Sequence, residues 1–107
     1  MYIAQLTDFF SAVEQDDRLT VSHISLYMAL FELWNVNQFE NPIAVTRSKI
    51  MKSCKIYSFS TYHKIISDLQ NFGYIKYLPS FHPAKGSLVH LLSLYRKSTT
   101  TKKQIVG

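Results

Sequence analysis

The sequence predicts a mostly helical α+β domain: about four helices, a short extra strand and a C-terminal β-hairpin. Three observations predict it. Apolar residues recur at helical spacing through most of the chain before residue 73. Gly73 then marks a change to runs rich in β-branched and aromatic residues. At 107 residues, 47% hydrophobic and 14% aromatic, the chain has apolar material for one core rather than two.

Ile3, Leu6, Phe10 and Val13 share one helical face and predict a first helix over 3–15, within an N-terminal segment 1–17, and Asp16-Asp17-Arg18 is a polar break. Ser22 is a good cap for a second helix running to about Gln38, with Val21 placed to staple onto Leu26. Ile24, Tyr27, Met28 and Phe31 line one side of that helix; Leu26, Ala29, Leu30 and Leu33 line the other. A helix apolar nearly all round must be covered twice. The expected second cover is either the first helix or, in a homodimer through residues 3–38, another copy of the chain.

Asn41-Pro42 ends this unit, and Ile43-Ala44-Val45 is a short strand. Thr46 caps a third, short helix over Arg47–Ser53, with Val45 set to staple onto Ile50. The turn Cys54-Lys55-Ile56-Tyr57 follows. Two serines compete to start the fourth helix. With Ser58 as cap Tyr57 can staple onto Tyr62, whereas Ser60 would pair Phe59 with Lys64, so Ser58 is the better start. The helix runs to Phe72, and Gly73 stands where a left-handed terminus favours glycine. Tyr74–Phe81 and Leu88–Tyr95 are strands joined by the turn segment HPAKGS. The expected organisation is therefore a single domain over 1–95: the N-terminal helix, a three-helix core over 22–73 and a hairpin over 74–95. The basic stretch 96–107 follows as a flexible tail.

Charge divides the chain. Residues 1–45 hold six acids against Arg18 alone, whereas residues 46–107 hold eleven bases against Asp68 alone, for an overall charge of +5. A basic half, together with a pI near 9.4 for the whole chain, is the electrostatic footprint of a polyanion binder. Several classes are disfavoured. The single Cys54 cannot form an intrachain disulfide, and MYIAQLTDFF lacks a basic leader. The run Ile24–Trp34 is too short to span a bilayer, so a cytoplasmic, nucleoid-associated location without membrane contact is expected. Four histidines and one cysteine never approach metal-ligand spacing, and three glycines form no phosphate loop. No nucleophile–base pair is evident, so no enzyme, metal, cofactor or small-molecule substrate is expected. Tyr27, Phe31, Trp34, Phe39 and Cys54 are assigned to the core, and His23 and His90 to packing or surface.

The runs SHISLYMALFELWN, AVTRSKIMKSCKIYSFSTYHKIISDLQNFGYIKY and HPAKGS with LVHLLSLY follow the order helix, strand, helix, turn, helix, hairpin. From Ser22 to Tyr95 the chain resembles winged helix-turn-helix proteins, especially the small ones of bacterial mobile elements and phage replication or regulatory modules. The resemblance implies sequence-specific binding of double-stranded DNA, as a transcriptional regulator or a replication or excision factor. It also implies that the fourth helix enters the major groove while the wing touches the backbone or minor groove.

On a helical wheel Tyr62, Ile65, Ile66, Leu69 and Phe72 form the core stripe. Ser60, Lys64, Ser67 and Asn71 lie opposite, flanked by Thr61 and His63, with Asp68 to one side. Short donors and one cation suit base edges and phosphate. Arg47, Lys49, Lys52, Lys55, the Ser58 start, and Lys85 with Gly86 at the wing tip complete the expected DNA-binding set. Two other readings remain: a protein-interaction winged helix without DNA binding, and a single-stranded nucleic-acid binder stacking bases on Tyr57, Phe59 and Tyr77.

Overall fold

A computed structural model describes residues 3–79 and 86–95. Lys85, the rest of the turn before Gly86, the expected strand end at Phe81 and the tail over 96–107 lie outside the described residues. The chain is mostly helical α+β, and its described residues form four helices and a three-stranded antiparallel sheet. They divide into two compact units, residues 3–20 with 93–95, and residues 21–79 with 86–92.

In the first unit α1 spans Ile3–Gln15, as its periodicity predicts. Its buried positions are Phe9 and Ala12, while Phe10 is 45% exposed. The apolar arc is wide enough to turn inward on either edge, so spacing alone misplaced its centre. After the helix, Asp16 accepts both Nε and Nη2 of Arg18 at 2.8 Å, together with the Arg18 backbone amide.

The second unit begins with α2, Val21–Val36. The helix already includes Val21, so Ser22 is not its cap, and Val21 is 82% exposed and staples nothing. The buried line is His23, Leu26, Tyr27, Leu30 and Trp34, at true helical spacing. Ile24, Met28, Ala29, Phe31 and Leu33 stay half-buried. Beyond the helix, Gln38 and Phe39 adopt left-handed backbone with φ 56 and 62. Such conformations cost about 1–3 kcal/mol each in non-glycine residues. Edge-on packing of Phe39 against Trp34 and Phe31, at centroid distances of 5.2 and 6.3 Å, offsets part of that cost.

β1, Ile43–Val45, leads into α3, Arg47–Cys54, and then α4, Phe59–Asn71. Thr46 occupies the cap position of α3, but its side chain makes no capping hydrogen bond. At the far end Lys55 takes the left-handed conformation and its amide donates to Met51. Ser25 of α2 donates to the Cys54 carbonyl at 2.6 Å, satisfying a carbonyl that the helix terminus leaves unpaired. Ser58 caps α4 as expected, accepting from the Thr61 amide at 3.3 Å. Tyr57 is 73% exposed and does not cover Tyr62, so the cap works without its staple.

Gly73, at φ 90, ends α4 and feeds β2, Ile75–Leu78. β3 covers Ser87–Leu91, shorter than the expected Leu88–Tyr95. The strand order is β1-β3-β2, with Ile43 opposite Val89 and Ile75 opposite Leu91. Asn41 extends β1 by imitating a strand residue. Its side-chain amide donates to the Leu91 carbonyl and its oxygen accepts the Leu91 amide, both at 3.0 Å. On the outer edge Gln70 of α4 accepts the Tyr77 amide at 2.6 Å. α2 packs on α3 and α4, and α4 on β2. Leu26, Leu30, Ile50, Leu69, Ile75 and Val89 are each sealed to 1% exposure or less. Burying each such side chain contributes about 1.5–3 kcal/mol over leaving it in water.

Candidate nucleic-acid interface

α4 divides cleanly between two environments. Tyr62, Ile65, Ile66 and Leu69 are buried, while Ser60, Thr61, His63, Lys64, Ser67 and Asn71 are exposed. α3 divides likewise. Ile50, Met51 and Cys54 face the core, leaving Arg47, Lys49 and Lys52 in solvent, with Lys55 exposed in the following turn. α3 is short and amphipathic, so its polar positions can only face out.

The structure brings a subset of these residues together around one cleft of about 450 Å³. Val45, Thr46, Arg47 and Ser48, at the junction of β1 and α3, form one wall. Phe59, Tyr62 and His63 of α4 form another, and Tyr77, Pro79, Gly86 and Ser87 close the cleft from the hairpin side. The Arg47 guanidinium lies 4.3 Å from the centroid of the Phe59 ring, and its Nη1 is 3.5 Å from His63 Nε2. Across the cleft the Tyr77 and Ser87 hydroxyls are 3.1 Å apart. Tyr62 is 2% exposed; its hydroxyl makes no hydrogen bond among the described residues but is not sealed from solvent. Burial, followed by the nearby Tyr77 and Cys54, pushes its ionisation up to about 12 against a lowering by Arg47, so at neutral pH it is a donor.

The remaining expected residues lie outside this cluster. Lys64 donates to Asp68 Oδ2 at 2.8 Å, and the same oxygen is 2.9 Å from Nε2 of the buried His23. The hydrogen bond from Lys64, then that with His23, holds the Asp68 carboxyl below its ordinary range. Asp68 therefore does not stand aside from the polar face of α4 but engages its only lysine. Asn71 ends the helix, about 16 Å along the axis from Ser60. Gly86 sits directly before β3 against the Val45 carbonyl, at the base of the turn rather than its tip. Ser58 and Ser60 share a hydroxyl contact of 3.0 Å at the helix start.

Sequence reasoning gave Tyr62 wholly to the core and overlooked Thr46, Ser48 and Ser87. Periodicity registers only which face a ring belongs to, not where its hydroxyl ends. Of the aromatics considered for base stacking, Tyr57 and Phe59 are 73% and 59% exposed, while Tyr77 is half-buried. Cys54 is buried, and burial pushes its thiol up, away from nucleophilic character. No helix among the described residues is long and apolar enough to cross a membrane. No family model, curated protein or solved structure matches the chain.

Proposed function

We propose that this chain is a winged helix-turn-helix protein that binds double-stranded DNA in a sequence-dependent way. In this reading α3 and α4 are the two helices of the motif, α4 enters the major groove, and the β2–β3 connection is the wing. The observation that carries the reading is the convergence of the first turns of α3 and α4 with the hairpin base on one cleft whose described lining contains Arg47 and His63 and no carboxylate. The element order, with β1 joined to the outer side of β3, supports it.

Arg47, Lys49, Lys52 and Lys55 would neutralise phosphates, and Ser60, Lys64 and Ser67 would meet base edges. Lys64 would exchange its Asp68 partner for the nucleic acid, a small cost because exposed ion pairs contribute little. The half-buried apolar residues of α2 support association of two copies, which would read half-sites about one helical turn apart. A regulator and a mobile-element replication or excision factor would use this same surface.

Site selection from random duplexes tests the proposal. The wild type should enrich one motif at moderate salt, and the combined Ser60→Ala, Lys64→Ala and Ser67→Ala variant should lose or change it. Each base-contacting change should cost about 1–3 kcal/mol on the preferred site and much less on random duplex. Enrichment of the same motif by the variant would remove α4 from sequence reading. A second reading is favoured by the exposure of Tyr57 and Phe59: stacking on unpaired bases. Tighter binding to single strands than to duplex at equal salt would put that reading first.

A further inference from the structure

We infer that the cleft seats one nucleotide, its phosphate held by Arg47, the Tyr62 hydroxyl and the first amides of α3, and its base against Phe59. This rests on reading that face as a nucleic-acid surface and names what the cleft takes. Three independent features converge on an anion joined to a flat aromatic group.

The first is an unmet donor set. The Thr46 side chain leaves the opening turn of α3 uncapped, and the first helical bond found there is Ile50 to the Thr46 carbonyl. A helix start in that state attracts a phosphate. The second is Tyr62. Its side chain is 2% exposed and lines the cleft, and its hydroxyl, which makes no hydrogen bond among the described residues, is not sealed from solvent and is open to a ligand. A phosphate oxygen would supply the acceptor. Because its ionisation is pushed up to about 12, the phenol keeps its proton for that bond.

The third is Phe59, 59% exposed at the mouth with the Arg47 guanidinium 4.3 Å from its centroid. A purine or pyrimidine can stack on what remains open of the ring while Arg47 turns its charge to the phosphate. The paired hydroxyls of Tyr77 and Ser87 offer a polar wall to the sugar. With no acid in its described lining, the cleft is ill suited to a metal cation. Its volume of about 450 Å³ falls at the lower end for small-molecule sites, suiting one nucleotide rather than two. That nucleotide can come from an unpaired position of a bound strand or from a free mononucleotide.

Amide-resonance titration of the full chain by NMR tests the inference, with deoxyadenosine monophosphate, deoxyadenosine and inorganic phosphate as probes. The monophosphate should shift the amides of Arg47, Ser48, Phe59 and Tyr62, and phosphate should shift those of Arg47 and Ser48 more weakly. The nucleoside should do little. Tyr62→Phe, which keeps the ring and removes only the hydroxyl, should weaken the monophosphate about tenfold. Two duplexes, one fully paired and one with a single unpaired nucleotide, identify the source. Tighter binding of the second by the wild type, lost in Tyr62→Phe, assigns the site to a strand nucleotide. Monophosphate binding without that preference assigns it to a free one. The inference is overturned if the monophosphate leaves those four amides unmoved, if the nucleoside binds as well, or if Tyr62→Phe binds equally. Duplex binding with a silent cleft would defeat this inference and leave the DNA reading standing. A responsive cleft in a protein that binds neither duplex nor single strands would do the reverse.

Discussion

At Gly86 the backbone takes φ +69, and a Cβ there would collide with the Val45 carbonyl oxygen and crowd the Thr46 methyl. The junction of β1, β3 and α3 is therefore closed by the absence of a side chain. Gly86→Ala should destabilise the protein by about 1–3 kcal/mol, seen as a lower urea midpoint with an unchanged slope; an unaltered midpoint would mean the junction can relax freely. Asp68 makes a second residue-scale case. Its depressed carboxyl ionisation means that its contribution is present above the ordinary value of 3.8 and is lost as pH falls through the lower folded value. Asp68→Ala should cost about 1–3 kcal/mol near neutral pH, because a partly buried carboxylate leaves His23 and Lys64 together. The gap between variant and wild type should close in urea titrations well below that ordinary value, and a gap independent of pH would contradict the assignment. Neither residue's role was legible in the sequence. Gly86 looked like turn material and Asp68 like a bystander, because each acts on a partner more than 40 positions away.

At the scale of elements, the start of α4 was legible because capping is local: a serine and the amide three residues on suffice. Ser58→Ala should cost about 1 kcal/mol and speed hydrogen exchange at Thr61, while Ser60→Ala should leave that amide protected. Equal effects would mean that the two hydroxyls share the cap. The start of α2 was misjudged for a related reason. A staple needs its apolar residue to be covered, and Val21, at 82% exposed, has nothing over it. The strands were placed by composition, but their lengths were not. β3 stops at Leu91 while the apolar sequence continues, and pairing with β1 on one side and β2 on the other sets its extent.

For the whole molecule, the charge division carries the last prediction. If the basic half meets phosphate, replacing Lys49, Lys52 and Lys55 by alanine should weaken all duplexes alike and reduce the slope of log affinity against log salt by up to about three units. An unchanged slope would detach these lysines from the backbone contact. What the sequence determined by itself were the properties set by neighbours along the chain: four helices by apolar period, the α4 cap by one serine, the glycine exit at Gly73, the change from helix to strand, and the basic half. Properties set by distant partners exist only in the folded chain. The face of α1 that turns inward, the Asn41 clasp on Leu91, the approach of Gly86 to Val45, and the cleft where Arg47, Phe59 and Tyr62 meet all belong here. The physical reason is range: helical period and capping act within one turn, whereas a cleft exists only once the chain has returned on itself.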